Sequence, residues 1–173
     1  MEKEGGFHVT KAVLRKYEGD INACKTPEER QAFLENSVPY EVRELKDNCL
    51  LNTGINEMWK LVKGEVSGAD HIYDNTHAQI GVGDSSTAAN ATQTDLQAAS
   101  NKTYKAMESG YPEAISAQKI VLKSAFGSSD ANYAWEEWVV KQSTSAVCLN
   151  RKAESLGTKS GGTWTLEVEI TLS

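Results

Sequence analysis

Residues Thr163 to Leu172 alternate without a break. Trp164, Leu166, Val168, Ile170 and Leu172 fall on one parity, and Thr165, Glu167, Glu169 and Thr171 on the other. A period of two places the first set on one face of a pleated strand and the second on the opposite face, whereas a helix would scatter both. Gly161-Gly162 announces the run as a turn. A strand with so continuous an apolar face is expected deep in a sheet, closing a core that earlier strands begin. Upstream, strands are expected over His77 to Gly83, Thr103 to Met107, Lys119 to Phe126, Tyr133 to Lys141 and Ser145 to Arg151. Gly/Ser/Asp turns such as Gly127-Ser128-Ser129-Asp130 separate them. This spacing predicts a mainly β body over residues 65–173, an antiparallel β-sandwich or jelly roll.

Residues 26–64 carry helical signals instead. Thr26-Pro27-Glu28-Glu29 combines a capping residue, a proline suited to the first turn and a glutamate that completes a capping box. The helix should run to about Asn36, with Phe33 and Leu34 inward, and stop before Pro39. Tyr40 to Leu51 is expected as a second helix on the spacing of Val42, Leu45 and Cys49. Over Gly54 to Lys63, Ile55, Met58, Trp59 and Val62 form an i, i+3, i+4, i+7 stripe expected to face the core, and Gly64 occupies the C-cap position. Residues 1–25 show no sustained period. They are expected to form an extended N-terminal arm whose large apolar residues, Phe7, Val9, Val13, Leu14 and Tyr17, become an interface by finding burial on another molecule.

At 173 residues, one domain is expected, with the arm and the helical segment appended. An apolar fraction of 39% beside a charged fraction of 24% describes an ordinary globule. The net charge of −6, with no basic cluster, argues against nucleic acid as a partner. No apolar run approaches a membrane span, and Met-Glu-Lys-Glu-Gly-Gly lacks a signal peptide's apolar region, so assembly in the cytoplasm without a membrane partner is expected. Cys24, Cys49 and Cys148 are odd in number and far apart, which reads as reduced, packed thiols.

Four features invite a chemical reading. Gly81-Val82-Gly83 follows a strand, but Ser86 stands where a dinucleotide fingerprint needs its third glycine. Close packing is the reading taken. Asp70, His71, Asp74 and His77 carry metal-ligand chemistry at a spacing that no regular element would converge. Glu136-Glu137 are neighbours on a strand and so point to opposite faces, as Trp135 and Trp138 should. No catalytic, cofactor-binding or metal-binding residue is therefore nominated, and no cofactor is expected.

Leu51-Asn52-Thr53-Gly54, Ala78-Gln79-Ile80-Gly81-Val82-Gly83-Asp84-Ser85 and Thr94-Asp95-Leu96 form an ordered series of signposts. It continues through Gly110-Tyr111-Pro112, Ala131-Asn132-Tyr133-Ala134-Trp135-Glu136-Glu137-Trp138, Leu149-Asn150-Arg151 and Leu156-Gly157-Thr158-Lys159. This succession resembles a family of virion structural proteins of tailed bacteriophages. The resemblance implies a jelly-roll or β-sandwich module of the virion without catalytic residues. It points first to a capsid decoration (cement) protein, a homo-trimer bound to the major capsid protein. The alternative is a tail, collar or fibre-base protein that joins other tail proteins or contacts the host. A third reading, a metal-dependent hydrolase, would rest on the Asp70–His77 cluster.

Overall fold

The computed structural model describes residues 8–172. In chain order the elements are β1 (His8–Tyr17), α1 (Pro27–Asn36), β2 (Glu41–Lys46), β3 (Cys49–Leu50), α2 (Asn52–Lys63), β4 (Ala78–Gly83) and β5 (Lys102–Ala106). They are followed by β6 (Lys119–Phe126), β7 (Ala134–Gln142), β8 (Cys148–Thr158) and β9 (Thr163–Leu172). A four-stranded sheet runs β2-β1-β9-β6 and a five-stranded sheet runs β3-β8-β7-β4-β5. Every named strand pair is antiparallel.

The alternation of β9 explains its place. It lies between β1 and β6, with Val168 flanked by Ala12 and Leu122, and Leu166 by Leu14 and Ser124. Its apolar parity joins Ile80 and Val82 of β4 and Trp138 and Val140 of β7 in one buried cluster that draws on both sheets. Phe126 and Trp164 from one sheet meet Trp135 of the other edge to face, with centroids 4.8 and 4.9 Å apart, a geometry that aromatic quadrupoles favour. The opposite parity carries charge. Lys11–Glu44, Arg15–Glu167, Lys123–Glu167 and Lys119–Glu169 pair across strands at 3.3, 3.5, 3.6 and 2.9 Å. Such partly exposed pairs contribute about 0–1 kcal/mol each. Their main effect is to penalise register slips, which would oppose like charges.

The expected helix at Thr26 is present, with both hydrogen bonds of its capping box, and α2 ends on Gly64 in the left-handed region at φ 72°. The expected N-terminal arm is corrected. Val9 and Val13 to Tyr17 belong to β1, an inner strand paired with both β2 and β9. Leu14 and Tyr17 are buried within the chain itself, and Val13 nearly so. Phe7 lies outside the described residues. Of the inward residues Thr10, Ala12, Leu14 and Lys16, Leu14 alone is large and apolar, so the period of two left little hydrophobic trace. Tyr17 points to the other face, where Phe33 of α1 covers it at a centroid distance of 6.0 Å.

Residues 40–51 form β2 and β3 rather than a second helix. Hydrogen-bonding groups along β1 offer a ladder that outweighs the helical spacing of Val42, Leu45 and Cys49, of which Leu45 alone is buried. The segment 26–64 is thus neither wholly helical nor separate from the sheets. Residues 94–99 form no helical turn. Trp135 and Trp138 do not face opposite ways, since both are fully buried in the shared core. A bulge between Trp135 and Glu137 changes the parity. The α2 stripe is split, with Met58 packed against the main core and Ile55 half-buried but Trp59 and Val62 exposed.

Replacing Val168 with Asp should abolish folding. An unpaired buried carboxylate costs several kcal/mol, comparable with a stability of about 5–15 kcal/mol for a domain. Glu169→Gln, on the outward parity, should melt within about 0.5 kcal/mol of wild type. Thermal unfolding followed by circular dichroism separates the two, and a wild-type melt for Val168→Asp would disprove the buried strand.

Candidate functional site

The outward face of the five-stranded sheet is covered by the long connection 84–101 between β4 and β5. This connection contains no helix or strand, so its backbone groups need partners elsewhere. Glu137 of β7 and Arg151 of β8 supply them. Both side chains have no exposure. Arg151 Nε and Nη2 donate to Glu137 Oε2 at 2.7 and 2.6 Å. Glu137 also accepts from the backbone N–H groups of Gln97 at 2.9 Å and Ala98 at 2.7 Å. Arg151 further donates to Gln93 Oε1 at 2.9 Å and to the carbonyl of Thr87 at 2.8 Å. One buried ion pair therefore grips the connection at four residues.

A second pin lies alongside. Asp95 accepts from Tyr104 Oη at 2.7 Å and Lys141 Nζ at 2.5 Å, while Lys141 sits 4.3 Å above the Tyr104 ring. Burial would raise the Asp95 carboxyl, but the hydrogen bonds from Lys141, Tyr104 and the Leu96 amide outweigh it and hold the group below the usual carboxylate range. Leu96 packs with Leu51, Val139, Cys148 and Tyr104 in a small second core. Burial pushes the Cys148 thiol upward, away from thiolate chemistry.

The same clamp accounts for two glycines. A Cβ on Gly83 would lie 2.6 Å from Glu137 Oε1, and one on Gly81 would lie 2.5 Å from the Tyr104 ring. They serve close packing rather than phosphate binding. Signposts far apart in the chain, at 81–84, 94–96, 135–138 and 149–151, thus meet in one place. A related knot uses Lys159, which is 1% exposed and donates to the Gly127 carbonyl at 2.6 Å and Asn132 Oδ1 at 3.1 Å. Burial lowers its pKa, opposed by the nearby Asp130 and Asp20.

The possible metal cluster is not brought together. His71 hydrogen-bonds to the buried Glu57 of α2. His77 Nδ1 lies 2.7 Å from Asp74 Oδ1, which also accepts the backbone N–H groups of Thr76 and His77. Asp70 is exposed on the same connection. Among the described residues, no group of three or more His, Cys, Asp or Glu could hold a metal ion. Glu136 meets Ser155 on the surface at 2.9 Å, while Glu137 is spent on the clamp.

Sequence reasoning missed the outward surface of α2. Trp59 and Val62 are 66% and 77% exposed. On the Met58 side of the helix lies a groove of about 390 Å³ walled by Leu50, Met58, Ile115, Ile120, Leu149 and Leu172. Its signal was the stripe itself, whose period told of an apolar face but not of what would cover it. No protein-family model, curated protein or solved structure matches the chain.

Removing one partner of a buried ion pair costs about 3–5 kcal/mol. Arg151→Ala should therefore lower stability by that order and release residues 84–101, giving fast hydrogen exchange at the Gln97 and Ala98 amides. Unchanged protection at both would contradict the clamp. The Asp95 contribution has the opposite pH sense to a histidine switch. It is present above about pH 3.9, the unfolded value, and is lost as pH falls through the lower folded value. In urea melts, the stability gap between wild type and Asp95→Asn should close on acidification from pH 6 towards pH 2.5. A gap constant over that range would contradict it.

Proposed function

We propose that this chain is a non-enzymatic structural protein of a tailed-bacteriophage virion. Its role is that of a capsid decoration (cement) protein, acting as a homo-trimer on the major capsid protein of the assembled head. The observation that carries this reading is the use made of the signpost residues. Glu137, Arg151, Asp95 and Lys141 hold a long surface connection rigid and are committed to one another. Long connections without secondary structure in a compact domain commonly serve contact. Large apolar side chains stay on the surface at Val38, Tyr40, Val42, Trp59, Val62 and Ile115. The chemistry-bearing groups build a scaffold, and what the scaffold displays is surface for docking.

The nested pairing of β1 with β9, β3 with β8 and β4 with β7 supports reading the two sheets as a sandwich of jelly-roll type. Attachment through an N-terminal arm is replaced by attachment through the body, because β1 is committed to its own sheet. Cement acts by mass action. A protein that binds only the assembled shell stabilises it by RT ln(1 + [L]/Kd), and linked copies gain through effective concentration.

The test is location and number on intact particles. Labelled antibody should decorate heads, with copies in proportion to the capsid lattice, and heads stripped of the protein should leak genome on heating until it is added back. Label confined to tails, with heads equally heat-stable without the protein, would overturn the cement role in favour of a tail, collar or fibre-base protein.

A further inference from the structure

We infer that α2 and the groove beside it form a self-association face, on which a second copy of this chain docks by seating its Trp59 in the groove. The helix is locked with Trp59 and Val62 outward, while Met58 of the same stripe packs against the main core. Gly54 faces in, where a Cβ would come 2.6 Å from Leu149 Cα and 2.7 Å from the Leu149 carbonyl oxygen. Leu51, just before the helix, is fully buried. The Thr53 hydroxyl donates to the Cys148 carbonyl at 3.3 Å. Glu57, only 3% exposed, is held by His71 and lies 3.5 Å from Lys60. Turning Trp59 and Val62 inward would break every one of these contacts.

A stripe so fixed leaves Trp59 without cover in its own chain. Met58 forms part of the groove wall, and Trp59 lies about 100° further round the helix. The side chain next to the groove therefore does not fill it, and a neighbouring copy's can. Trp59 and the groove-wall residue Met58 share one helix, and repeated knob-in-groove contacts form a ring where the rotation between copies closes.

Area favours a copy of the same chain as the occupant, and charge permits it. The lysines around the face are neutralised internally, Lys60 by Glu57, Lys63 by Glu65 at 2.5 Å and Lys119 by Glu169 at 2.9 Å. The face therefore selects no partner of opposite charge and brings no unbalanced charge against itself, although the chain carries −6 overall. Trp59, Val62, Ile115 and Leu172 are 66%, 77%, 78% and 47% exposed. Together they present roughly 500 Å² of apolar surface, near the upper end for a monomer's largest patch. That is close to the apolar share of a standard interface of about 800 Å² per partner.

Sedimentation velocity on the full chain from about 1 to 100 μM tests the face, in the range where moderate self-affinities show. Wild type should associate. Trp59→Ser and Ile115→Glu should each weaken association by at least about 30-fold, the size of an interface hot spot. Both substitute exposed side chains, so circular dichroism and melting should be unchanged. Val38→Ser, at an 87% exposed residue outside the face, should associate like wild type. Trp59 is the exposed one among four tryptophans, so iodide quenching of fluorescence should fall as concentration rises. A wild type that stays monomeric throughout, or an oligomer indifferent to both variants, overturns the inference and leaves the virion reading to its own test. A dimer that both variants dissociate supports the face while overturning the homo-trimer.

Discussion

A carboxylate taken out of water must regain its hydrogen bonds from the protein, and Glu137 shows how much structure that requirement organises. Its oxygens take donors from Arg151 and from two amides of the 84–101 connection. Arg151 spends its remaining donors on the same connection. Satisfying the pair means bringing the connection down onto the sheet. That in turn requires Gly83 to lack a side chain where the carboxylate approaches. Once the backbone is there, Leu96 and Ala98 are buried, and apolar packing adds to what the ion pair began.

The two faces of the five-stranded sheet are consequently both dry, but for different reasons. Towards the four-stranded sheet, the core is an aromatic and aliphatic cluster held by shape and dispersion. Away from it, the interior is polar at its centre and apolar at its edge. The first kind tolerates exchange of similar side chains, while the second fails when one partner is lost. The four-stranded sheet differs again. One face is core and the other is a lattice of cross-strand charges, the usual pattern of an antiparallel sheet half in water.

The division bears on function. Polar residues that could be mistaken for a site, such as Glu137, Arg151, Asp95 and Lys159, are saturated by one another and by backbone groups. The surface left over carries exposed apolar side chains, Trp59 and Val62 of α2 among them. A scaffold of this kind favours contact with other molecules, and the proposals of a virion role and of a self-association face both follow from it, by separate routes.

The strands with regular alternation were legible from the sequence alone. Over Thr163–Leu172 and Lys119–Phe126 the side-chain pattern carries the burial information, so period predicts structure. The capping box at Thr26 and the glycine at position 64 were equally legible, because caps are local chemistry. The signposts were visible as a series, but their meeting at Glu137 and Arg151 was not, since residues some forty to sixty positions apart carry no local mark of contact. β1 was hidden because, of its inward residues Thr10, Ala12, Leu14 and Lys16, Leu14 alone is large and apolar, and strand pairing is a property of two segments rather than one. Tertiary structure alone decided the parity of Trp135 and Trp138, through a bulge that one strand cannot announce. It also decided which way α2 faces. Periodicity marks a stripe as apolar, and only the contacts of Gly54 and Glu57 with the rest of the fold turn Trp59 and Val62 of that stripe outward.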